Sequence, residues 1–223
     1  MNEIILAQII QGITVNALPV IFAITLHEAA HAYAAKHFGD LTAYSQGRVS
    51  FNPLVHIDPV GTILIPAVLF AIGSPFLFGY AKPVPINFGN LRKPKRDMAW
   101  VALAGPGANL AMAFLWMFFV LLLQVLKVDA DFFFKMAQAG VSINLMLFAF
   151  NLFPIPPLDG GRIAVSLLPH KYAYQFSQIE PYGFFIVMAL AFMKVLHFWM
   201  IPLQGVASIF LGLLIWPFSL LLG

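Results

Sequence analysis

The chain is dominated by apolar stretches long enough to cross a lipid bilayer, each near or above the roughly 20 residues that a membrane-spanning helix needs. The five stretches cover about residues 4–38, 61–81, 99–126, 132–153 and 182–222. The last is interrupted by His197 and Pro202, so it forms either two spans or one span with an interfacial piece. The pattern predicts an all-α polytopic membrane protein with about five to six transmembrane or re-entrant helical segments.

The composition agrees with a membrane location. Of the 223 residues, 61% are hydrophobic and 9% are charged, whereas an ordinary soluble domain has roughly 25% charged residues. The net charge of +3 comes from few residues, which fits basic cytoplasmic loops and argues against nucleic acid as a partner. Cysteine is absent, so any metal must be held by histidine and carboxylate side chains.

The polar residues are concentrated between the apolar stretches. Residues 40–60 hold turn-forming Gly47, Asn52-Pro53 and Asp58-Pro59 around short runs, and we expect a small β-hairpin near residues 44–56.

A second polar segment, residues 82–97, is rich in proline and ends in the basic residues Arg92, Lys93, Lys95 and Arg96. The positive-inside rule places this loop on the cytoplasmic side. The N-terminus has no basic region or small-residue cleavage site, so we expect no removable signal peptide. Without repeats or an appended soluble segment, residues 1–223 are expected to form one membrane-embedded domain.

The first candidate for chemistry is the motif from His27 to His31, HEAAH, near the end of the first apolar stretch. Residues four apart on a helix lie on one face, so both imidazoles can reach one tetrahedral zinc ion. Glu28, one position round the helix, can act as the acid/base for the attacking water. Ionisable residues inside an apolar helix are costly and usually functional, which favours a catalytic role.

A third histidine, His37, has the spacing of the third ligand in HExxHxxGxxH sites. That arrangement needs a glycine after the second histidine to turn the chain back, but this position is Ala34, a strong helix former. On a continuous helix His37 lies about 15 Å along the axis from His27 and about 80° off its face. We therefore expect His37 to be an interfacial residue and not a ligand.

Asp159 is the candidate for the third protein ligand that such a zinc site requires. It stands in NLFPIPPLDGGR, directly after an apolar stretch, where the prolines forbid a continuous helix and Gly160-Gly161 allow close backbone approach. Irregular backbone near membrane depth occurs where protein or water satisfies its polar groups. Alternatively, Asp159 only caps the following helix; His56 and Asp58 remain the other candidates.

The two motifs together resemble the site-2 protease family of intramembrane zinc metalloproteases, of the peptidase M50 type, in the compact form without a PDZ or CBS domain. The matching segments are HEAAH at 27–31, FNPLVHIDPVG at 51–61, AKPVPIN at 81–87, ALAGPGANL at 102–110 and NLFPIPPLDGGR at 151–162. The resemblance implies that His27, His31 and Asp159 bind one Zn2+ ion per chain and that Glu28 is catalytic.

The resemblance also places Asn109 and Asn151 on asparagines of two further membrane motifs of the family. A role in binding the substrate backbone or the developing oxyanion follows for both. Hydrogen bonding between helices is the alternative for each of them.

The order of the segments bears on topology. If residues 61–81 cross the membrane once, the HEAAH motif and the basic loop fall on opposite sides, whereas Gly73-Ser74-Pro75 in the middle of this stretch favours a re-entrant path. Asp159 then arrives level with His31, and the active site opens to the cytoplasmic side.

The expected function is hydrolysis of peptide bonds within or near transmembrane segments of a membrane-protein substrate. The location is a lipid bilayer, the bacterial cell membrane. Two alternatives remain: a catalytically inactive relative that binds membrane segments, and a metal transporter. The inactive relative would not need Glu28, and the transporter would need ionisable residues along a whole path, whereas here they cluster at one depth.

Overall fold

A computed structural model of the protein describes residues 2–65, 68, 79 and 81–222, with the backbone alone for residues 2–9, 63 and 222. The α-helices are α1 (Asn2–Phe38), α2 (Thr42–Ser45), α3 (Pro94–Val125), α4 (Asp131–Asn151), α5 (Asp159–Leu167), α6 (His170–Ser177), α7 (Glu180–Phe192) and α8 (Val195–Leu222). Short 3-10 turns lie at Pro53–Val55 and Phe88–Asn90, and a π-helical turn at Pro59–Leu64.

Four helical stretches are long and apolar enough to cross a membrane: Ile10–Phe38, Pro94–Val125, Asp131–Asn151 and Val195–Leu221. The predicted all-helical class is therefore confirmed. The described residues contain four candidate spans, and the predicted count of five to six transmembrane or re-entrant segments stays unconfirmed. Most of the predicted stretch 61–81, including Gly73-Ser74-Pro75, lies outside the described residues, so its re-entrant path stays a prediction.

The β-hairpin predicted near residues 44–56 is wrong. α2 ends at Ser45, and the segment continues through bends into the 3-10 turn, without a strand. Its polar groups bond to neighbouring loops and to each other instead of forming a ladder. Arg48 Nη2 donates to the carbonyl of Lys82 at 2.8 Å, and His56 Nε2 donates to the carbonyl of Ser50 at 2.9 Å.

The last apolar stretch divides at Lys194, which has a φ of 59°. A lysine rarely adopts this left-handed conformation within a helix, so α7 ends and α8 begins there. The break therefore precedes the predicted interruptions, and Pro202 lies inside α8. α7, with 13 residues, is too short to cross a membrane as one helix.

Helix α3 lies at the centre of the fold and packs against α1, α4, α5 and α8. Small residues fill the buried contacts between the helices, among them Ala23, Ala29, Ala32, Ala102, Ala113, Ala137 and Ala149. The indole ring of Trp116 in α3 packs directly against the backbone of Gly140 in α4, where a Cβ atom would overlap the ring. Such residues let helix backbones approach closely, and they bring α1, α3, α4 and α5 together around one site.

Candidate active site

Helix α1 places His27 and His31 on the same buried face, as their spacing predicts. The two rings meet edge to face with centroids 4.6 Å apart, and their Nε2 atoms are 3.0 Å apart. Glu28 lies beside them and is half-buried. The motif thus directs two nitrogen atoms towards one point.

Asp159 completes this cluster from the first turn of α5. Its Oδ2 atom lies 3.2 Å from His27 Nε2 and 3.3 Å from His31 Nε2. Leu158, not Asp159, occupies the cap position of α5, and Asp159 Oδ2 has no hydrogen-bond partner, so capping does not explain the position of this carboxylate. Gly160 and Gly161 hold α5 tightly against the preceding loop, because a Cβ atom at either would overlap backbone atoms of residues 152–156.

The hydrogen bond of His31 defines its tautomer. Its Nδ1 atom lies 2.7 Å from the carbonyl oxygen of Val101. A carbonyl can only accept, so Nδ1 carries the hydrogen and Nε2 presents a lone pair.

The tautomer of His27 follows in the same way from Asn109 of α3. His27 Nδ1 lies 2.7 Å from Asn109 Oδ1. The Asn109 amide nitrogen donates to the carbonyl of Ala23 at 3.1 Å and to Asn144 Oδ1 at 3.0 Å. Both amide hydrogens are therefore used, and the amide oxygen faces the histidine. His27 also presents its Nε2 lone pair to the cluster.

The three converging atoms are all electron donors. They lie within 4.8 Å of one another, and Asp159 Oδ2 is buried without a hydrogen-bond partner. Neighbouring lone pairs repel unless a cation lies between them. Two imidazole nitrogens and one carboxylate oxygen, 3.0 to 3.3 Å apart, match the donor types of a three-ligand zinc site. Among the described residues, no other group of this kind is present.

Gly105 of α3 packs directly against this cluster. A Cβ atom there would overlap the imidazoles of both His27 and His31. Only glycine therefore lets α3 approach closely enough for Val101 and Asn109 to reach the two rings.

The segment 81–87 holds Glu28 in place. Its Oε2 atom accepts the backbone N–H of Val84 at 2.9 Å. This segment is fixed at both ends, because the N–H of Lys82 donates to the carbonyl of His56 at 2.9 Å and the N–H of Asn87 donates to Asp40 Oδ2 at 2.8 Å.

A cavity of about 640 Å³ opens beside the cluster. Its remaining walls come mainly from apolar residues of the segment 81–87, the end of α4, and α7. Asn151 lies on this wall and donates to the carbonyl of Leu147 at 3.0 Å. Asn109, in contrast, is completely buried behind His27, so the two predicted asparagines occupy different environments.

The other candidate ligands point elsewhere. Asp58 caps the π-helical turn through the amides of Val60 and Gly61, and His56 bonds to its own loop. His37 is exposed in the last turn of α1.

Three contacts of the site were not predicted from the sequence. The carbonyl of Val101 and the amide of Val84 are backbone groups, which leave no signal in residue identity. Asn144 had a signal, since an amide within an apolar helix must find a partner, but its partner depends on how α3 and α4 pack.

The helical fold and this cluster define a membrane-type metalloprotein with an HExxH centre. A profile described as "Peptidase family M50" matches residues 127–194. The chain is 40% identical over 181 residues to "Putative zinc metalloprotease YwhC" of Bacillus subtilis, with 78% of each chain covered. It is 32% identical over 202 residues to "Putative zinc metalloprotease Rip2" of Mycobacterium tuberculosis, covering 89% of this chain and 70% of the relative. The chain belongs to peptidase family M50. No solved structure matches it significantly.

Proposed function

We propose that this protein is a zinc metalloendopeptidase of the site-2 type that hydrolyses peptide bonds within or near transmembrane segments of membrane proteins. The observation that carries the proposal is the convergence of His27, His31 and Asp159 on one point beside Glu28, among helices long enough to span a bilayer. His27, His31 and Asp159 hold one zinc ion, in keeping with the names of the relatives YwhC and Rip2.

Glu28 is the acid/base of the proposed reaction. Bound zinc supplies Lewis acidity to the scissile carbonyl and to the attacking water. The Val84 amide fixes one oxygen of Glu28, and the carboxylate takes a proton from the water and passes it to the leaving amine. Asn109 and Val101 accept hydrogen bonds from the Nδ1 atoms of His27 and His31, so the Nε2 atom of each ring is directed at the metal position.

The cavity receives the substrate. A helical segment hides its carbonyls in its own hydrogen bonds, so it must unwind locally before one carbonyl can reach the centre. The apolar walls suit side chains that arrive from lipid. Asn151 lines the cavity together with Asp159, which supports a contact with the substrate backbone, whereas the complete burial of Asn109 does not support a substrate or oxyanion role.

The active site opens to the cytoplasmic side of a bacterial cell membrane in this proposal. The backbone N–H of Arg92 donates to the carbonyl of Phe38, the last residue of α1, at 3.0 Å. The basic residues 92–96 therefore lie at the same end of the molecule as the HEAAH motif. Because basic loops remain cytoplasmic, this contact supports a cytoplasmic opening.

Reconstitution into liposomes with a panel of single-span substrates tests the proposal. Glu28→Ala is expected to keep its zinc and to lose cleavage by at least about 100-fold, since it removes the proton-transfer group. Asp159→Ala is expected to lose both zinc and cleavage. His37→Ala is the matched control, as it removes a histidine of the same helix outside the cluster.

The same experiment separates the alternatives. Cleavage that survives Glu28→Ala would contradict the mechanism, and full zinc content in Asp159→Ala would contradict the ligand set. Wild-type protein that binds segments but cleaves none would indicate an inactive relative. Zinc transport into the liposomes, without cleavage, would indicate a transporter.

A further inference from the structure

The geometry points to Asn144 as a positioning residue of the metal centre: acting through Asn109, it fixes the orientation of His27. The inference rests on the proposed role of His27 as a ligand. It assigns to α4, which contributes no ligand, a part in holding the metal.

The evidence is a continuous chain of hydrogen bonds across three helices. Asn144 donates from its amide nitrogen to the carbonyl of Gly140, one turn earlier in α4, at 2.8 Å. Its amide oxygen is thereby directed at Asn109 and accepts a hydrogen bond from the Asn109 amide nitrogen at 3.0 Å. Asn109 in turn directs its oxygen at His27 Nδ1, at 2.7 Å. Both asparagines are completely buried, so water cannot replace either contact.

The direction of this chain determines which nitrogen of His27 faces the cluster. An asparagine amide can turn by 180°, and it then presents donors where it presented an acceptor. A turned Asn109 would face His27 with its nitrogen and favour the tautomer that carries hydrogen on Nε2. That hydrogen would occupy the position needed by the metal. Asn144 and the carbonyl of Ala23 both accept from Asn109 and so keep the amide oriented.

The expected consequence is a change in metal affinity. Removing a hydrogen-bond partner behind a ligand typically weakens metal binding by about 10- to 100-fold. We expect Asn109→Leu to weaken zinc binding by about 100-fold and Asn144→Leu, which leaves Asn109 in place but free to turn, by about 10-fold. Because Asn144 acts through Asn109, the double variant should bind zinc no more weakly than Asn109→Leu alone.

The measurement is zinc affinity of the purified full chain in detergent, by competition with a chromophoric chelator, together with the visible spectrum of the Co2+-substituted protein. Asn16→Leu is the matched control, because Asn16 bonds to the carbonyl of Gly12 at 2.8 Å with the same spacing, on the exposed part of α1. It should leave affinity and spectrum unchanged. Asn144→Asp keeps an oxygen facing Asn109 and should therefore show wild-type zinc affinity and a wild-type Co2+ spectrum. If Asn144→Leu does not fold, Asn144→Ala replaces it.

Two outcomes would overturn the inference. One is wild-type affinity and spectrum in Asn144→Leu. The other is independent, multiplying losses in the two single variants, which would mean that Asn144 only supports packing. The His27→Ala variant distinguishes this failure from a failure of the proposed function. Unchanged zinc binding in His27→Ala would refute the assignment of His27 as a ligand. Loss of zinc in His27→Ala, together with wild-type zinc affinity in the Asn109 and Asn144 variants, would refute only the positioning role.

Discussion

The two sides of the cavity are built differently. On the helical side, formed by α1, α4 and α5 with α3 behind them, the residues His27, His31 and Asp159 are at most 8% exposed. Both imidazoles have hydrogen-bond partners behind them. The other side consists of the segment 81–87, which is anchored through its backbone, and α7, where Phe184 is 46% exposed.

The difference separates two tasks. Metal ligands must be held to within a fraction of an ångström, so close backbone packing and hydrogen bonds fix them before any substrate arrives. A surface for substrates of varied sequence must adjust, and the exposed apolar side chains of α7 would suit this task under the proposed function. Changes on the helical side should therefore alter metal binding, and changes on the other side should alter cleavage alone.

The largest effect is expected from Gly105→Ala. The added methyl group overlaps both imidazoles, and we expect zinc affinity to fall by about 100-fold, with loss of cleavage. Gly107→Ala is the control in the same helix, since nothing lies within 4 Å of the added atom. Chelator competition on both variants measures the effect, and equal affinities would refute the tight packing of the helical side.

Gly183→Ala tests the side of the cavity that α7 forms. Its methyl group would overlap the carbonyl of Pro156 and push α7 away from the loop before Asp159. We expect about a tenfold loss in kcat/KM, corresponding to about 1.4 kcal/mol, with zinc affinity unchanged. Gly205→Ala in α8, with open space around it, is the control. A parallel loss of zinc would show that the two sides are coupled.

Asp40→Asn tests how the segment 81–87 is anchored. Burial alone would raise the pKa of Asp40, but hydrogen bonds from Thr42, Asn87 and Asn90 lower it below its ordinary value of 3.8. The folded state therefore binds this proton less readily than the unfolded state. The resulting stability is present above about pH 4 and is lost as the pH falls further.

Thermal unfolding between pH 3 and pH 7 measures this contribution. We expect Asp40→Asn to destabilise the protein by about 1–2 kcal/mol at neutral pH and to lose less stability than wild type on acidification. Asp129→Asn, on an exposed turn, is the control. Identical pH profiles for wild type and Asp40→Asn would contradict the role of Asp40 as an anchor.

The smallest effect is expected from Glu180→Gln. The Arg162 Nη2 and Glu180 Oε1 atoms are 3.6 Å apart at the cavity rim, and Glu180 is half-exposed. Such pairs contribute about 0–1 kcal/mol, so cleavage should change by no more than about fivefold and zinc binding should stay constant. Asp131→Asn, in the remote pair with Lys135, is the reference. A tenfold or larger change would assign Arg162 a part in substrate binding.

The sequence predicted the local part of the centre. His27 and His31 are four residues apart in one helix, and helical geometry alone brings them together. The class of fold also follows from the sequence, because apolar stretches of this length have few alternatives. Asp159 was left open by its own segment and needed the family resemblance, since its approach to α1 depends on contacts over more than 120 residues.

The errors arose where side chains compete for backbone groups. Turn-forming residues around short runs suggested a hairpin near residues 44–56, but Arg48, Asn52 and Asp58 bond to loop backbone and stabilise turns instead. The partners of Asn109 could not be predicted either, because an amide offers donors and an acceptor to whichever helix packs beside it.

The size of the cavity has a consequence for the supply of water. Hydrolysis consumes one water molecule per bond, and hydrocarbon holds almost none. At a liquid volume of roughly 30 Å³ per molecule, a space of about 640 Å³ can store on the order of twenty water molecules. An entering peptide displaces part of this reservoir, so bulky side chains next to the scissile bond would exclude the second reactant, and small residues there would let both reactants share the space.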